Sequence, residues 1–61
     1  MKPNYIINEL KIGEQVTVYV TYDSFSGKVE KIVNDILYLR LNKKEIIEID
    51  ILSIYAISRQ V

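Results

Sequence analysis

The sequence predicts a mainly β protein in which one short N-terminal helix is followed by a five-stranded, strongly bent antiparallel barrel. The 61 residues include eleven isoleucines and six valines, whose branched side chains pack well on a pleated sheet and lose freedom in a helix. Short segments of alternating apolar and polar residues recur about every eight to ten residues, which is typical of small antiparallel barrels. We therefore expect a single domain spanning residues 1–61.

The first two elements follow from a change in the period of the apolar residues. Ile6, Ile7 and Leu10 recur at helical spacing, which predicts a helix over about residues 4 to 11. Strict alternation then predicts a strand over residues 15–22. Its inward face carries Val16, Val18, Val20 and Tyr22, and its outward face carries Thr17, Tyr19 and Thr21.

The second strand is predicted to be bent. It should cover residues 25–33, after a turn at residues 23–24. Val29 and Ile32 lie three positions apart, and regular alternation cannot place both on one face, so we expect a bulge or sharp bend after Val29. Gly27 permits either a close approach of backbones or curvature of the strand. A bent strand of this kind suits a barrel.

The remaining three strands are predicted from the same alternation. They should cover residues 36–41, 45–50 and 53–58. Asn34 and Asp35 supply a two-residue turn before the third strand. Residues 51–53 leave room only for a tight turn. The inward side chains are expected to be Leu37, Leu39 and Leu41 on the third strand, and Ile47 and Ile49 on the fourth.

The composition restricts the chemistry of the chain. Without cysteine or histidine, it cannot build a thiol nucleophile, an imidazole base, a Cys/His zinc site or a disulfide. General acid–base work would fall to carboxylates such as Asp35 and Asp50, and no nucleophile, metal-ligand set or phosphate-cradling glycine loop accompanies them. We expect a protein that is not an enzyme and that carries no cofactor or metal.

Size and charge add two further expectations. A chain this short buries only about 60% of its unfolded surface, so a partner subunit is the remaining support once disulfides and Cys/His metal sites are excluded. Eight basic residues balance eight acidic ones, so any contact with nucleic-acid phosphates must come from a local patch. The start has no apolar core of a signal peptide and no apolar run is long enough to span a membrane, from which we expect a cytoplasmic protein.

The order of these elements resembles a known family. The segments that carry the resemblance cover much of residues 4–59 and are patterns of apolar residues around Gly27 rather than rare signatures. They are Val16 to Val20, Ser26 to Ile32, Ile36 to Asn42, and Ile46 to Ser58. Together they resemble the Sm-like family, and within it the bacterial Hfq-like small barrels. The resemblance implies an N-terminal helix and a bent SH3-like barrel, and other small SH3-like barrels share the same pattern.

The resemblance also implies assembly into a homo-oligomer. Members of this family form hexameric or heptameric rings in which the fourth strand of one subunit pairs with the fifth strand of the next. The corresponding candidate interface residues are Ile46, Ile47, Ile49, Ile54, Tyr55 and Ile57. The alternative is that these side chains fill the barrel of their own chain.

The family's nucleotide-binding positions transfer only in part. The base-stacking aromatic of the pore-side pocket aligns with Asp35, and its lysine-histidine pair aligns with Ile49 and Asp50. A carboxylate repels phosphate, so we expect no pore-side site. The tyrosine of the family's purine-binding face aligns with Tyr19. The alternative for this outward tyrosine, which Thr17 and Thr21 flank, is cross-strand packing.

Basic residues supply a second set of RNA-binding candidates: Lys28, Lys31, Arg40, Lys43 and Lys44. The alternative is a solvated face with weak cross-strand ion pairs, because acidic residues are interleaved with them. Two functions from different classes follow. One is an oligomeric protein that contacts short single-stranded RNA through its outward tyrosine face. The other is a non-catalytic oligomeric scaffolding module that binds a protein partner, and no nucleic acid, through Tyr19, Tyr38 or the helix.

Overall fold

The computed structural model describes residues 9–60. Its strands are β1 (Gln15–Val20), β2 (Asp23–Val33), β3 (Ile36–Asn42), β4 (Glu45–Asp50) and β5 (Ile54–Arg59), with a 3-10 turn (Ile51–Ser53) before β5. The strands form one sheet in the order β4-β3-β2-β1-β5, and every neighbouring pair is antiparallel. The five antiparallel strands of the prediction are therefore confirmed. Within residues 9–60 the sheet is not closed into the predicted barrel, and β4 and β5 are its edges.

The helix predicted over residues 4–11 lies mainly outside the described residues. Leu10 and Lys11, at the end of that range, are not helical. The segment that follows is bound to the sheet, because Gly13 N donates to Val29 O at 2.7 Å and Val29 N donates to Glu14 O at 2.9 Å. Gly13 adopts a φ of 89° there, a conformation that glycine reaches without steric cost.

The bulge expected after Val29 is confirmed. Val29 pairs with Leu39, but the next pairing in the ladder joins Lys31 to Tyr38, so Glu30 is the extra residue. This bulge returns Ile32 to the side of the sheet that packs on the core. The close approach at Gly27 is also confirmed, because a Cβ atom there would lie 2.4 Å from Arg40 O.

Two predictions about the first hairpin are wrong. β1 ends at Val20, and β2 already begins at Asp23, which pairs with Val20. The turn is therefore residues 21–22 and not residues 23–24. Tyr22, which was expected on the inward face, lies in this turn and is 96% exposed. Side chains point to alternate faces only while the backbone is in the strand. The alternating sequence pattern continues to Tyr22, although the strand has already ended at Val20.

The core lies on one side of the sheet, and the side chains that are buried there within residues 9–60 are aliphatic. Its buried members are Val16, Val18, Val29, Leu37, Leu39, Ile49, Ile51 and Ile54. Val20, Leu41 and Ile47 were also expected to point inward, and they pack against this core while remaining partly exposed. The other side of the sheet, called the outer face below, carries the alternate residues of β1, β2, β3 and β4.

Candidate nucleic-acid interface

Tyr19 lies on the outer face of β1, as expected from the burial of its neighbour Val18. It pairs with Ser24 of β2 on one side and Ala56 of β5 on the other. These small neighbours leave the tyrosine ring partly exposed. Tyr19 is therefore in part accessible from the outer face.

A second tyrosine stands beside Tyr19. Val20 pairs with Ile54 and Tyr19 pairs with Ala56, so Tyr55 is the extra residue of a bulge in β5. The bulge places the Tyr55 ring 6.5 Å from the Tyr19 ring, centroid to centroid, with the planes tilted by 41°. This separation lies within the range of favourable aromatic pairs. Tyr55 is 69% exposed, and we call the two rings the tyrosine pair.

Polar side chains continue the outer face away from the tyrosine pair. Thr17 and Ser26 are directly opposite each other on β1 and β2, and their hydroxyl oxygens lie 2.8 Å apart in a hydrogen bond. Two residues further along β2, Lys28 pairs with Gln15 of β1 and with Arg40 of β3. The outer face thus changes from aromatic side chains on β1 and β5 to polar and then cationic side chains toward the paired ends of β2 and β3.

The cationic end of this face is a groove of about 260 Å³. We call it the cationic groove, and its lining residues are Gln15, Ser26, Gly27, Lys28, Arg40, Leu41, Asn42 and Lys43. Three of the five basic candidates from the sequence, Lys28, Arg40 and Lys43, therefore meet in one place. Gln15 and Asn42 were not singled out from the sequence, because only the strand register shows that they border the same groove.

The Arg40 guanidinium is fixed by three acceptors. Its Nε donates to Glu30 Oε1 at 3.0 Å, and its Nη1 donates to the carbonyl oxygens of Asn42 and Lys43 at 3.4 and 3.3 Å. The side chains of Arg40 and Glu30 are both more than one third exposed, so their ion pair contributes little to stability. Its effect is mainly to orient the guanidinium at the groove.

The other two basic candidates lie apart from the cationic groove. The Lys31 ammonium sits over the Tyr38 ring, 4.7 Å from its centroid. This pair borders a second groove of about 380 Å³, together with Glu30, Ile46 and Glu48. Lys44 is exposed in the turn between β3 and β4, and its backbone N donates to Asn42 Oδ1 at 2.8 Å. Thr21, expected to flank Tyr19 on the strand, lies in the turn after β1.

The candidate interface residues divide into two groups. Ile49 and Ile54 are buried in the core of their own chain, and Ile47 and Ile57 pack partly against it. Ile46 is 40% exposed on edge strand β4, and Tyr55 is exposed on edge strand β5. Of these six residues, Ile46 and Tyr55 are therefore the two that are exposed at the edges of the described sheet.

The positions that align with the pore-side pocket have other structural roles. Asp50 begins the 3-10 turn, and its Oδ1 accepts a hydrogen bond from Leu52 N at 3.0 Å. Ile49 belongs to the core. Asp35 is exposed in the turn before β3, and its carbonyl oxygen accepts from Ile51 N at 2.9 Å. Asn34 precedes it with a φ of 55°, as a tight hairpin turn requires.

One ionic cluster lies away from the outer face. Arg59, near the end of β5, donates from Nη2 to Glu14 Oε1 at 3.2 Å and from Nε to Glu14 Oε2. It also contacts Glu9 Oε1 at 3.4 Å. The hydrogen bond from Arg59 holds the pKa of Glu14 below its ordinary value, with further help from the backbone N–H of Lys11. The same pair raises the pKa of Arg59. The cluster joins the segment before β1 to the last strand.

No group of three or more histidine, cysteine, aspartate or glutamate side chains within residues 9–60 could hold a metal ion. In the same part of the chain, no helix has the length and apolar character to cross a membrane.

Comparison with family models, with curated proteins and with solved structures finds no match to this chain. The chain is therefore classified by its fold alone. It is a small β protein with an open antiparallel sheet, and the outer face of that sheet carries aromatic and cationic groups.

Proposed function

We propose that the chain is a non-catalytic, Sm-like protein of the Hfq-like kind, which assembles into a homo-oligomer and binds short single-stranded RNA on its outer face. One observation carries the proposal. The tyrosine pair and the cationic groove share this face, and the β2 partner of Tyr19, Ser24, precedes Lys28 by four residues, about 13 Å of strand. Proteins that bind single strands combine stacking aromatic rings with a positively charged path for the backbone.

Stacking and charge contribute separately to such binding. A base stacked on an aromatic ring is worth about 1–3 kcal/mol and is tolerant of sequence. Cations near the phosphates add a term that weakens as salt rises. The chain has no net charge, so contact with phosphates requires a local basic patch. The cationic groove supplies this patch, because it is lined by Lys28, Arg40 and Lys43.

Assembly is supported by the two open edges of the sheet. An edge strand presents unpaired N–H and C=O groups that favour pairing with another chain. Pairing β4 of one subunit with β5 of the next would extend the sheet, cover Ile46 and place Tyr55 close to a subunit boundary. Within residues 9–60 the buried core has eight aliphatic side chains, and because such a core is small, the added contacts would also stabilise the fold.

A second candidate function is recognition of a protein partner. Val20 pairs with Ile54, which brings the turn after β1 next to the 3-10 turn before β5. Tyr22 and Leu52 are exposed in these two turns, and Tyr55 is exposed nearby. Exposed tyrosine and aliphatic side chains at one end of a small domain are typical of protein interfaces.

The RNA proposal is tested with a matched pair of tyrosine variants. Tyr19→Ala removes the stacking ring, while Tyr22→Ala removes a tyrosine that lies in a turn and is almost fully exposed. We expect Tyr19→Ala to lose retention of a short adenosine-rich RNA at an unchanged oligomer mass, and Tyr22→Ala to retain it. Equal RNA affinity in wild type and Tyr19→Ala would overturn the proposal. If instead wild type binds no RNA, and Tyr22→Ala loses a protein partner, the second candidate is favoured.

A further inference from the structure

The cationic groove has a composition unlike that of the chain as a whole. Basic and acidic residues are equal in number over the sequence, but the eight residues that line this groove include three cations and no carboxylate. The second groove, beside Tyr38, has the opposite balance, with one lysine and two glutamates. The two grooves share the β2–β3 part of the sheet, and only the first one attracts an anion.

The guanidinium of Arg40 is pre-organised at the groove. Its Nε and Nη1 are already engaged by Glu30 and by the carbonyl oxygens of the β3–β4 turn. Among the described residues, Nη2 makes no hydrogen bond. A guanidinium that is held in one plane loses little side-chain entropy when it donates to an oxyanion. Glu30 neutralises part of its charge but does not line the groove.

Two lysines complete the set of donors. Lys28 lies directly opposite Arg40 in the β2–β3 register, and Lys43 follows in the turn that binds Arg40 Nη1. Within residues 9–60, neither lysine forms an ion pair with a carboxylate. A water takes about 30 Å³ of liquid volume, so a groove of about 260 Å³ has room for a hydrated oxyanion.

We propose that the cationic groove is a phosphate-binding site in which Lys28, Arg40 and Lys43 donate to the phosphate oxygens. In the RNA-bound protein, this phosphate is a phosphodiester group of the same strand that stacks a base on Tyr19. That part of the inference rests on the proposed function, whereas the binding of a phosphate oxyanion does not. Lys31 and Tyr38 have no role in it, because the second groove presents carboxylates.

The RNA part is tested by the salt dependence of binding. Each phosphate contact to a single strand contributes about 0.7 to the slope of log affinity against log salt. Because both lysines contact the same phosphate, we expect Lys28→Ala and Lys43→Ala each to reduce that slope by at most about this amount. Lys31→Ala is the matched control, because it removes the same charge from the same strand outside the groove, and its slope should equal that of wild type. Tyr19→Ala should weaken binding with the wild-type slope.

The anion part is tested without RNA, with inorganic phosphate as the probe. Titration should shift the amide resonances of Gly27 and Asn42 in wild type, and the double variant Lys28→Ala/Lys43→Ala should not respond. The two failures are distinguishable. If RNA binding requires Tyr19 but its salt slope is unchanged in both lysine variants, the phosphate site in the cationic groove is overturned. The RNA function then still stands. Wild type that binds phosphate but no RNA overturns the RNA function alone, and no response to either ligand overturns both.

Discussion

The rings of Tyr19 on β1 and Tyr55 on β5 lie 6.5 Å apart on the outside of the sheet. A strand bulge brings them together, since Tyr55 has no direct partner in the ladder between β1 and β5. A base that stacks on Tyr19 would therefore have Tyr55 at its edge. The tyrosine that the family resemblance assigns to a subunit interface thus also borders the candidate RNA site.

Tyr55→Ala should weaken RNA binding less than Tyr19→Ala does. A tilted aromatic neighbour is worth about 1 kcal/mol, which corresponds to roughly a fivefold loss of affinity. Tyr55→Phe keeps the ring and is the control, with an expected affinity close to that of wild type. Fluorescence anisotropy with a labelled adenosine oligonucleotide measures all three proteins. A loss of binding in Tyr55→Phe as large as in Tyr55→Ala would show that the hydroxyl and not the ring is used.

Gly27→Ala should destabilise the fold. The added Cβ would lie 2.4 Å from Arg40 O and 3.2 Å from Leu39 Cγ, so β2 and β3 must separate. Overpacking of this kind costs about 1–3 kcal/mol, which denaturant unfolding can measure. Lys28→Ala is the control because Lys28 is exposed on the adjacent position, and it should change the free energy of unfolding by less than about 0.5 kcal/mol. Equal stability of Gly27→Ala and wild type would show that the two strands are not so close.

Glu14→Gln should lower stability at neutral pH but not in acid. Arg59 lowers the pKa of Glu14 below its ordinary value of 4.5, so the ionised carboxylate stabilises the folded state above that pH. The contribution is lost as the pH falls through the folded-state pKa. Urea unfolding at neutral pH and well below pH 4.5 should therefore give a difference between wild type and variant that shrinks in acid.

Glu9→Gln is the comparison for that experiment. Glu9 contacts the same arginine at 3.4 Å, but its side chain is much more exposed than that of Glu14. We expect a smaller effect at neutral pH, because solvent screens exposed ion pairs. A pH-independent difference between wild type and Glu14→Gln would contradict the assigned role of the carboxylate.

Ile46→Glu should dissociate the proposed oligomer. Ile46 is partly exposed on edge strand β4 and lies opposite Arg40 on β3. A glutamate there is compatible with the isolated chain, because it faces a cation across the strands, but it places a charge at the edge that pairs with a neighbour. Leu52→Glu is the control in the 3-10 turn, outside both edge strands. Light scattering should give a reduced mass for Ile46→Glu only, and an unchanged mass would exclude β4 as the assembly edge.

Alternation and residue shape predict most of the sheet from the sequence. The five strands, the bulge after Val29 and the close approach at Gly27 follow from where branched residues and the glycine fall. The end of β1 was placed wrongly, because Tyr22 continues the alternating pattern after the backbone has left the ladder. The period of apolar and polar residues along the sequence gives no information on whether a residue has a cross-strand partner.

The site was predictable only in its individual residues. Tyr19, Lys28 and Arg40 could be named from residue type and position, but their arrangement depends on strand register. The bulge that turns Tyr55 toward Tyr19 has no local signal, since it results from the offset between β1 and β5, which lie far apart in the sequence. The same holds for Gln15 and Asn42, which become neighbours of the basic residues only in the folded sheet.

The most direct test of an RNA-binding oligomer is the solution mass of the purified wild-type protein by light scattering, with absorbance at 260 and 280 nm recorded on the same peak. We expect a mass of several subunits and an excess of absorbance at 260 nm from bound nucleic acid. A monomer free of nucleic acid would contradict both the assembly through β4 and β5 and the binding of RNA on the outer face.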